Sequence, residues 1–157
     1  MSGKTILIIE DEERMRRLME LVLRPEGYRL LLADSGEAGL KLLEEGGLDL
    51  ILTDLQMGKV GGMEVLDYAI QKCPDIPVVI ITGFGTVKSA VQAIKKGAFD
   101  YITKPIDNEE LTVVVKRALE RKGLKDEMER VMGDISHDIK NLLTPVVMGT
   151  SLLESEI

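Results

Sequence analysis

Tryptophan is absent from the 157 residues, and the other aromatics are two Phe and three Tyr. Stacking of nucleic-acid bases on aromatic platforms is therefore an unlikely function. A single cysteine, Cys73, excludes an internal disulfide framework and fits a reducing compartment. Positive charge is in deficit, with 20 Lys and Arg against 27 Asp and Glu and a formal net charge of −7. That balance argues against generic binding to nucleic acid or to an anionic membrane, so neither is expected as a partner. No apolar run approaches the length needed to span a bilayer, and the N-terminus has no signal-peptide core. The expected location is the cytoplasm. Internal repeats and low-complexity segments are also absent.

What the chain does have is apolar runs that stop abruptly. It is 45% hydrophobic and 30% charged, enough for one domain with a proper core and an appendage. The central stretch is Leu50 to Gly62. Leu50-Ile51-Leu52-Thr53 ends in Asp54, and a Met and three glycines follow. A buried strand ending in a carboxylate delivers it to the rim of a sheet, where ligands gather in parallel folds.

The same punctuation recurs along the chain. Lys4 to Ile9 reads as a strand buried on both faces, and it ends in Glu10-Asp11-Glu12-Glu13. Met15, Leu18, Met19, Val22 and Leu23 then follow helical spacing until Pro25 and Gly27. Tyr28 to Ala33 is a second strand, and Asp34 or Ser35 caps a helix that ends at Gly46-Gly47. The third strand, Leu50 to Thr53, leads to a helix carrying Met63, Val65, Leu66, Ala69 and Ile70. Pro77 to Ile81 is a fourth strand, closed by Thr82-Gly83. Val87, Ala90, Val91 and Ile94 make a helix ending at Gly97. Phe99 to Thr103 is a fifth strand, closed by Lys104-Pro105, and Asp107 starts another helix.

Five strand–helix alternations with short connections imply an α/β fold with right-handed crossovers. The expected architecture is a doubly wound five-stranded parallel sheet in the flavodoxin-like order 2-1-3-4-5, followed by a long C-terminal helix. Strands one and three are then central neighbours. This domain is expected over residues 1–122. Residues 123–157 form a second segment, with Gly123 as the break. Leu124, Met128, Val131, Ile135, Ile139, Leu142 and Val146 follow a heptad seam with one stutter between Val131 and Ile139. The seam reads as a stalk pairing with a second copy; the alternative is a helix folded back on its own domain.

The fold gathers Glu10, Asp11 and Asp54 at one edge. Clustered carboxylates repel, and a divalent cation is the usual compensation. Mg²⁺ takes a few carboxylates, a backbone carbonyl and waters, so Asp11 and Asp54 are candidate direct ligands. Glu10 would act through water, and Gln56 would supply the carbonyl. The bland alternative makes Asp11 a helix cap and Glu10 a solvated acid. Lys104 is placed to neutralise a phosphoryl oxygen, and Thr82 to donate to another; singly, they could be a solvated lysine and a Thr-Gly turn. Their coincidence at four strand ends is the stronger signal.

IIEDE at 8–12, LTDLQM at 52–57, ITG at 81–83 and YITKP at 101–105 resemble the receiver domain of two-component response regulators. The resemblance spans roughly residues 4–122. It implies that Asp54 accepts a phosphoryl group from a phosphohistidine donor, the histidine kinase of a phosphorelay. It further implies an acidic Mg²⁺ pocket at Glu10 and Asp11 and phosphoryl contacts from Thr82 and Lys104. Tyr101 would be an aromatic switch turning inward as Thr82 moves. Members often have a cis peptide before the proline, so Lys104-Pro105 is expected to be cis. Gly58 stands where the family commonly has Pro, and Glu10 replaces the more usual Asp. Gln56 and Phe84 flank the expected water path and would tune the lifetime of the acyl phosphate.

Ser136 to Pro145 resembles the H-box of the dimerisation and phosphotransfer helix of sensor histidine kinases. That resemblance implies phosphorylation at His137, a base at Asp138 and water direction by Asn141. Asp138 is shorter than the usual Glu, Leu142 stands where many members have Pro, and Pro145 should kink the helix. The second helix of the hairpin and an ATP-binding domain are not in the sequence.

The leading expectation is therefore a receiver that regulates an attached kinase core through a dimeric helix, as a fragment of a longer protein. The alternative is a stand-alone response regulator with a phosphotransfer-like or dimerising tail and no kinase activity. Two further readings stay in view: a phosphohydrolase with an aspartyl nucleophile, disfavoured by Gln56, and a pseudo-receiver scaffold.

Overall fold

In the computed structural model, residues 3–83 and 87–134 are described. Five strands alternate with five helices: β1 (Thr5–Ile9), α1 (Glu13–Leu23), β2 (Arg29–Ala33), α2 (Gly36–Glu45), β3 (Leu50–Asp54), α3 (Gly62–Lys72), β4 (Val78–Thr82), α4 (Val87–Lys96), β5 (Asp100–Thr103) and α5 (Asn108–Asp134). All strand pairs are parallel, in the expected order β2-β1-β3-β4-β5.

Apolar content explains the order. β1, β3 and β4 are buried at every position, because helices cover both of their faces. On one face Met19 and Leu23 of α1 and Leu111, Val115 and Ala118 of α5 pack on Ile6, Ile8, Leu50 and Leu52. On the other, Leu43 of α2, Val65 and Leu66 of α3 and Ala93 of α4 pack on Leu7, Ile9, Ile51 and Ile80. Each fully buried Ile or Leu contributes about 1.5–3 kcal/mol by leaving water. β2 is an edge strand and is only partly buried.

Local signals set the ends. Ser35, not Asp34, caps α2: its Oγ accepts from the Ala38 N–H at 3.1 Å. Asp107 caps α5, with Oδ1 accepting from the N–H groups of Glu109 (2.8 Å) and Glu110 (3.2 Å). Gly97 follows α4 with φ of +126°, a conformation that side chains resist. β2 and β5 each begin one residue later than the sequence suggests. Tyr28 and Phe99 lie before their strands and pack into the core instead.

Gly123 does not break α5, contrary to expectation; residues 108–134 are helical throughout. One glycine costs a helix only about 1 kcal/mol against alanine, too little to stop one that is otherwise favourable. The chain divides into two compact units, residues 1–122 and 123–157. The first holds the sheet and its helices; of the second, helical backbone is described to Asp134. Ile135, Ile139, Leu142, Val146 and the stutter lie outside the described residues. Among the described residues, no helix is long and apolar enough to cross a membrane.

Candidate functional site

The strand register builds the site. Ile9 pairs with Thr53, so the next residues, Glu10 and Asp54, stand side by side at the carboxyl edge. Asp54 pairs with Ile81, and Thr82 pairs with Thr103. Thr82 and Lys104 therefore follow one step beyond. The Thr82 carbonyl accepts from the Lys104 N–H at 2.8 Å, which extends the β4–β5 pairing by one step and keeps Lys104 at the sheet edge. The Lys104–Pro105 peptide there is cis.

Lys104 Nζ reaches into the carboxylates. It donates to Asp54 Oδ2 at 2.8 Å and lies 3.2 Å from Glu10 Oε1. The second contact is an ion pair, and Glu10 Oε1 is buried with no further partner. Glu10 is fully buried, which overturns the reading of it as a solvated acid. Its other polar atoms are all engaged. Its N–H donates to the Ala33 carbonyl (3.0 Å), its Oε2 accepts from the Glu12 N–H (3.1 Å), and its carbonyl accepts from Arg16 Nη1 (2.8 Å). Asp11 is exposed, and it is not the cap of α1, a position held by Glu12.

Asp54 is 6% exposed. Its Oδ1 accepts from the Gln56 N–H at 3.2 Å, so both carboxylate oxygens are held. The chain then returns over it. Gly62 donates its N–H to the Leu55 carbonyl, and a Cβ on Gly62 would collide with the Asp54 carbonyl oxygen and, at 2.8 Å, with Leu55 Cα. Glycine is needed there for the close approach.

Burial raises the pKa of Glu10 from 4.5 to about 7, with the charge of Asp54 adding to it and the Glu12 N–H and Lys104 opposing it. For Lys104, burial alone would lower the pKa. The hydrogen bond and charge of Asp54, with the charge of Glu10, more than offset this, and the net direction is up. A cation is already drawn to this edge.

A family model, the response regulator receiver domain, matches residues 6–116. The chain belongs to the response regulator receiver family. This receiver is 40% identical over 129 residues to a putative NtrX-like response regulator of Rickettsia felis, covering 81% of this chain and 27% of that protein. It is 34% identical over 116 residues to the transcriptional regulatory protein GlrR of Escherichia coli, covering 74% and 26%. Among solved structures, NtrX from Brucella abortus superposes with a TM-score of 0.78 at 32% identity, covering 83% of this chain and 30% of that one. A receiver domain from Clostridium thermocellum gives 0.74 at 33% identity, covering 77% and 98%. The chain thus spans about a quarter of the length of these curated relatives.

The acidic pocket of the receiver suits a hard divalent cation. Glu10, Asp11 and Asp54 each offer a carboxylate oxygen, and these lie within 4.8 Å of one another. Oxygens across a Mg²⁺ ion are separated by about twice the Mg–O distance of roughly 2.1 Å. The undonated Glu10 Oε1 is the further sign of fit. Thr82 is fully buried at the end of β4. Tyr101 is half-buried and packs on the same sheet face as Ile80, the face toward which Thr82 also alternates. Gln56 is exposed at the rim. Phe84, His137, Asp138 and Asn141 lie outside the described residues. The Glu10 contacts from Arg16 and Glu12 went unpredicted. Arg16 carried only one signal, its position in the first turns of the helix after the acidic pair.

Proposed function

We propose that this chain is the phosphoacceptor module of a response regulator in a phosphorelay, with Asp54 as the acceptor. The observation that carries this is the convergence of Glu10, Asp54 and Lys104 at one buried strand edge, with Lys104 Nζ 2.8 Å from Asp54 and 3.2 Å from Glu10. An Asp54 carboxylate oxygen attacks the phosphorus of a phosphohistidine; the P–N bond breaks and the imidazole leaves with its electron pair. A carboxylate is a weak nucleophile, so positioning and charge neutralisation supply most of the rate. Lys104 and the Thr82 hydroxyl contact the phosphoryl oxygens. Glu10, Asp11, Asp54 and the Gln56 carbonyl are the proposed ligands of Mg²⁺, which when bound neutralises further phosphoryl charge. As Thr82 moves toward the phosphoryl group, Tyr101 turns inward and reports the change.

The curated relatives are named as response and transcriptional regulators, which favours a response-regulator setting over a kinase fusion. The expectation of no nucleic-acid partner is accordingly limited to the charge of these 157 residues. Residues 1–122 are the proposed receiver, and residues 123–157 a dimerising tail through which phosphorylation is passed on. A kinase H-box at His137, Asp138 and Asn141 rests on the sequence alone.

The test is incubation with acetyl phosphate and Mg²⁺, read by intact-protein mass. Wild type gains one phosphoryl group and Asp54→Asn gains none. Equal labelling of the two proteins, or no labelling of wild type, refutes the proposal.

A further inference from the structure

Of the side chains that make hydrogen bonds around the acidic pocket, one has no part in the phosphoryl chemistry. Arg16, on the second turn of α1, donates from Nη1 to the backbone carbonyl of Glu10 at 2.8 Å. This carbonyl lies just past the last residue of β1. With the Ala33 carbonyl holding the Glu10 N–H and the Glu12 N–H holding Oε2, the Arg16 bond fixes the third of the four polar groups on that residue. Only Oε1 is left without a donor, buried and 3.2 Å from Lys104 Nζ.

We infer that Arg16 is a positioning residue for the cation pocket: by gripping the Glu10 carbonyl it sets the direction in which Glu10 Oε1 and the following Asp11 face the ion. This rests on the Mg²⁺ reading above. A guanidinium is suited to the task, since its planar fork stays charged and fixes direction as well as distance. Loss of a group that orients a metal ligand typically costs about 10- to 100-fold in metal affinity.

The sign of the effect separates positioning from plain electrostatics. Arg16 carries positive charge close to an acidic pocket, so as a mere charge it opposes a second cation. Removing it would then tighten Mg²⁺ binding. As a positioning group, its removal loosens Glu10 and weakens binding. Arg17 is the control. It is exposed and pairs with Glu13 at 3.3 Å rather than with Glu10, yet carries the same charge one residue away.

Mg²⁺ affinity is measured on the full chain by isothermal titration and by the Mg²⁺-dependent rise in melting temperature, with no phosphodonor present. Arg16→Gln is expected to weaken Mg²⁺ about tenfold. Arg16→Lys should recover part of the loss, and Arg17→Gln should leave affinity unchanged or slightly higher. The acetyl phosphate labelling rate should fall at low Mg²⁺ and return toward wild type at saturating Mg²⁺. If Arg16→Gln binds Mg²⁺ as well as Arg17→Gln, or more tightly, the inference is overturned. If Arg16→Gln is poorly folded in EDTA, Arg16→Lys decides. Affinity equal to or above wild type supports a role that any cation fills only if Arg16→Met is then weaker; otherwise it too overturns the inference. Wild type that binds no Mg²⁺ refutes the metal reading itself, a result distinct from a failure of Arg16.

Discussion

Replacing Glu10 with Gln should make this receiver more stable and less able to hold its cation. The buried Glu10 carboxyl has its pKa raised from 4.5 to about 7, first by burial and then by the charge of Asp54. A group whose folded pKa is raised stabilises the fold fully below its unfolded pKa, and that contribution is lost as pH rises. The loss here begins near pH 4.5 and is nearly complete by pH 7. A shift from 4.5 to about 7 corresponds to about 3 kcal/mol at 1.36 kcal/mol per unit. Glutamine keeps the acceptor for the Glu12 N–H and carries no charge. Glu10→Gln should therefore match wild type at pH 4.5 and exceed it by up to about 3 kcal/mol at pH 8 in EDTA. Urea unfolding across that pH range is the assay. Mg²⁺ at 1,000 times the wild-type Kd reverses the ranking, because wild type then gains about 4.1 kcal/mol and the variant far less. A stability difference that does not grow with pH, or a variant weaker than wild type at pH 8 in EDTA, would refute the reasoning.

Lys104→Met leaves Glu10 and Asp54 without their shared cation and should destabilise the protein by about 3 kcal/mol at pH 8. The cost should shrink near pH 5, where Glu10 is protonated, and in the Glu10→Gln background; urea unfolding of the double-mutant cycle measures both. Gly62→Ala should cost about 1–3 kcal/mol, since backbone rather than a flexible side chain blocks the added methyl, and thermal unfolding reads it. Its acetyl phosphate labelling should slow as the loop over Asp54 is displaced. Asp49→Ala removes the acceptor of the Thr5 N–H (2.8 Å) and should cost about 1–2 kcal/mol. That loss should be the same with and without Mg²⁺, because Asp49 precedes β3, at the strand end opposite Asp54.

Much of the protein follows from its sequence alone, and for a local reason. Runs such as Thr5-Ile-Leu-Ile-Ile9 and Val78-Val-Ile-Ile-Thr82 are apolar at consecutive positions, and only strands covered on both faces suit them. Parallel strands joined by short helical crossovers leave few orders open, and the carboxyl ends must share an edge. Glu10, Asp11, Asp54, Thr82 and Lys104 could therefore be assigned to one place before any coordinate was known. Tyr101 was singled out only by the family resemblance, and its face came from the structure. The helix runs on through Gly123 because a single glycine is a weak breaker and neighbouring residues outweigh it.

Tertiary structure alone decided how the edge is wired. Sequence spacing gives a residue's element and not its burial, so Glu10 could be read as solvated when it is fully enclosed. Its raised pKa comes from that enclosure and from the nearness of Asp54, a residue 44 positions along the chain. The grip of Arg16 on the Glu10 carbonyl and of Gln56 N–H on Asp54 depends on side-chain direction and distance, which no periodicity encodes. The sequence by itself determined which groups meet; only the packed sheet decided which carboxylate oxygen would be left undonated, and so where a cation would be held.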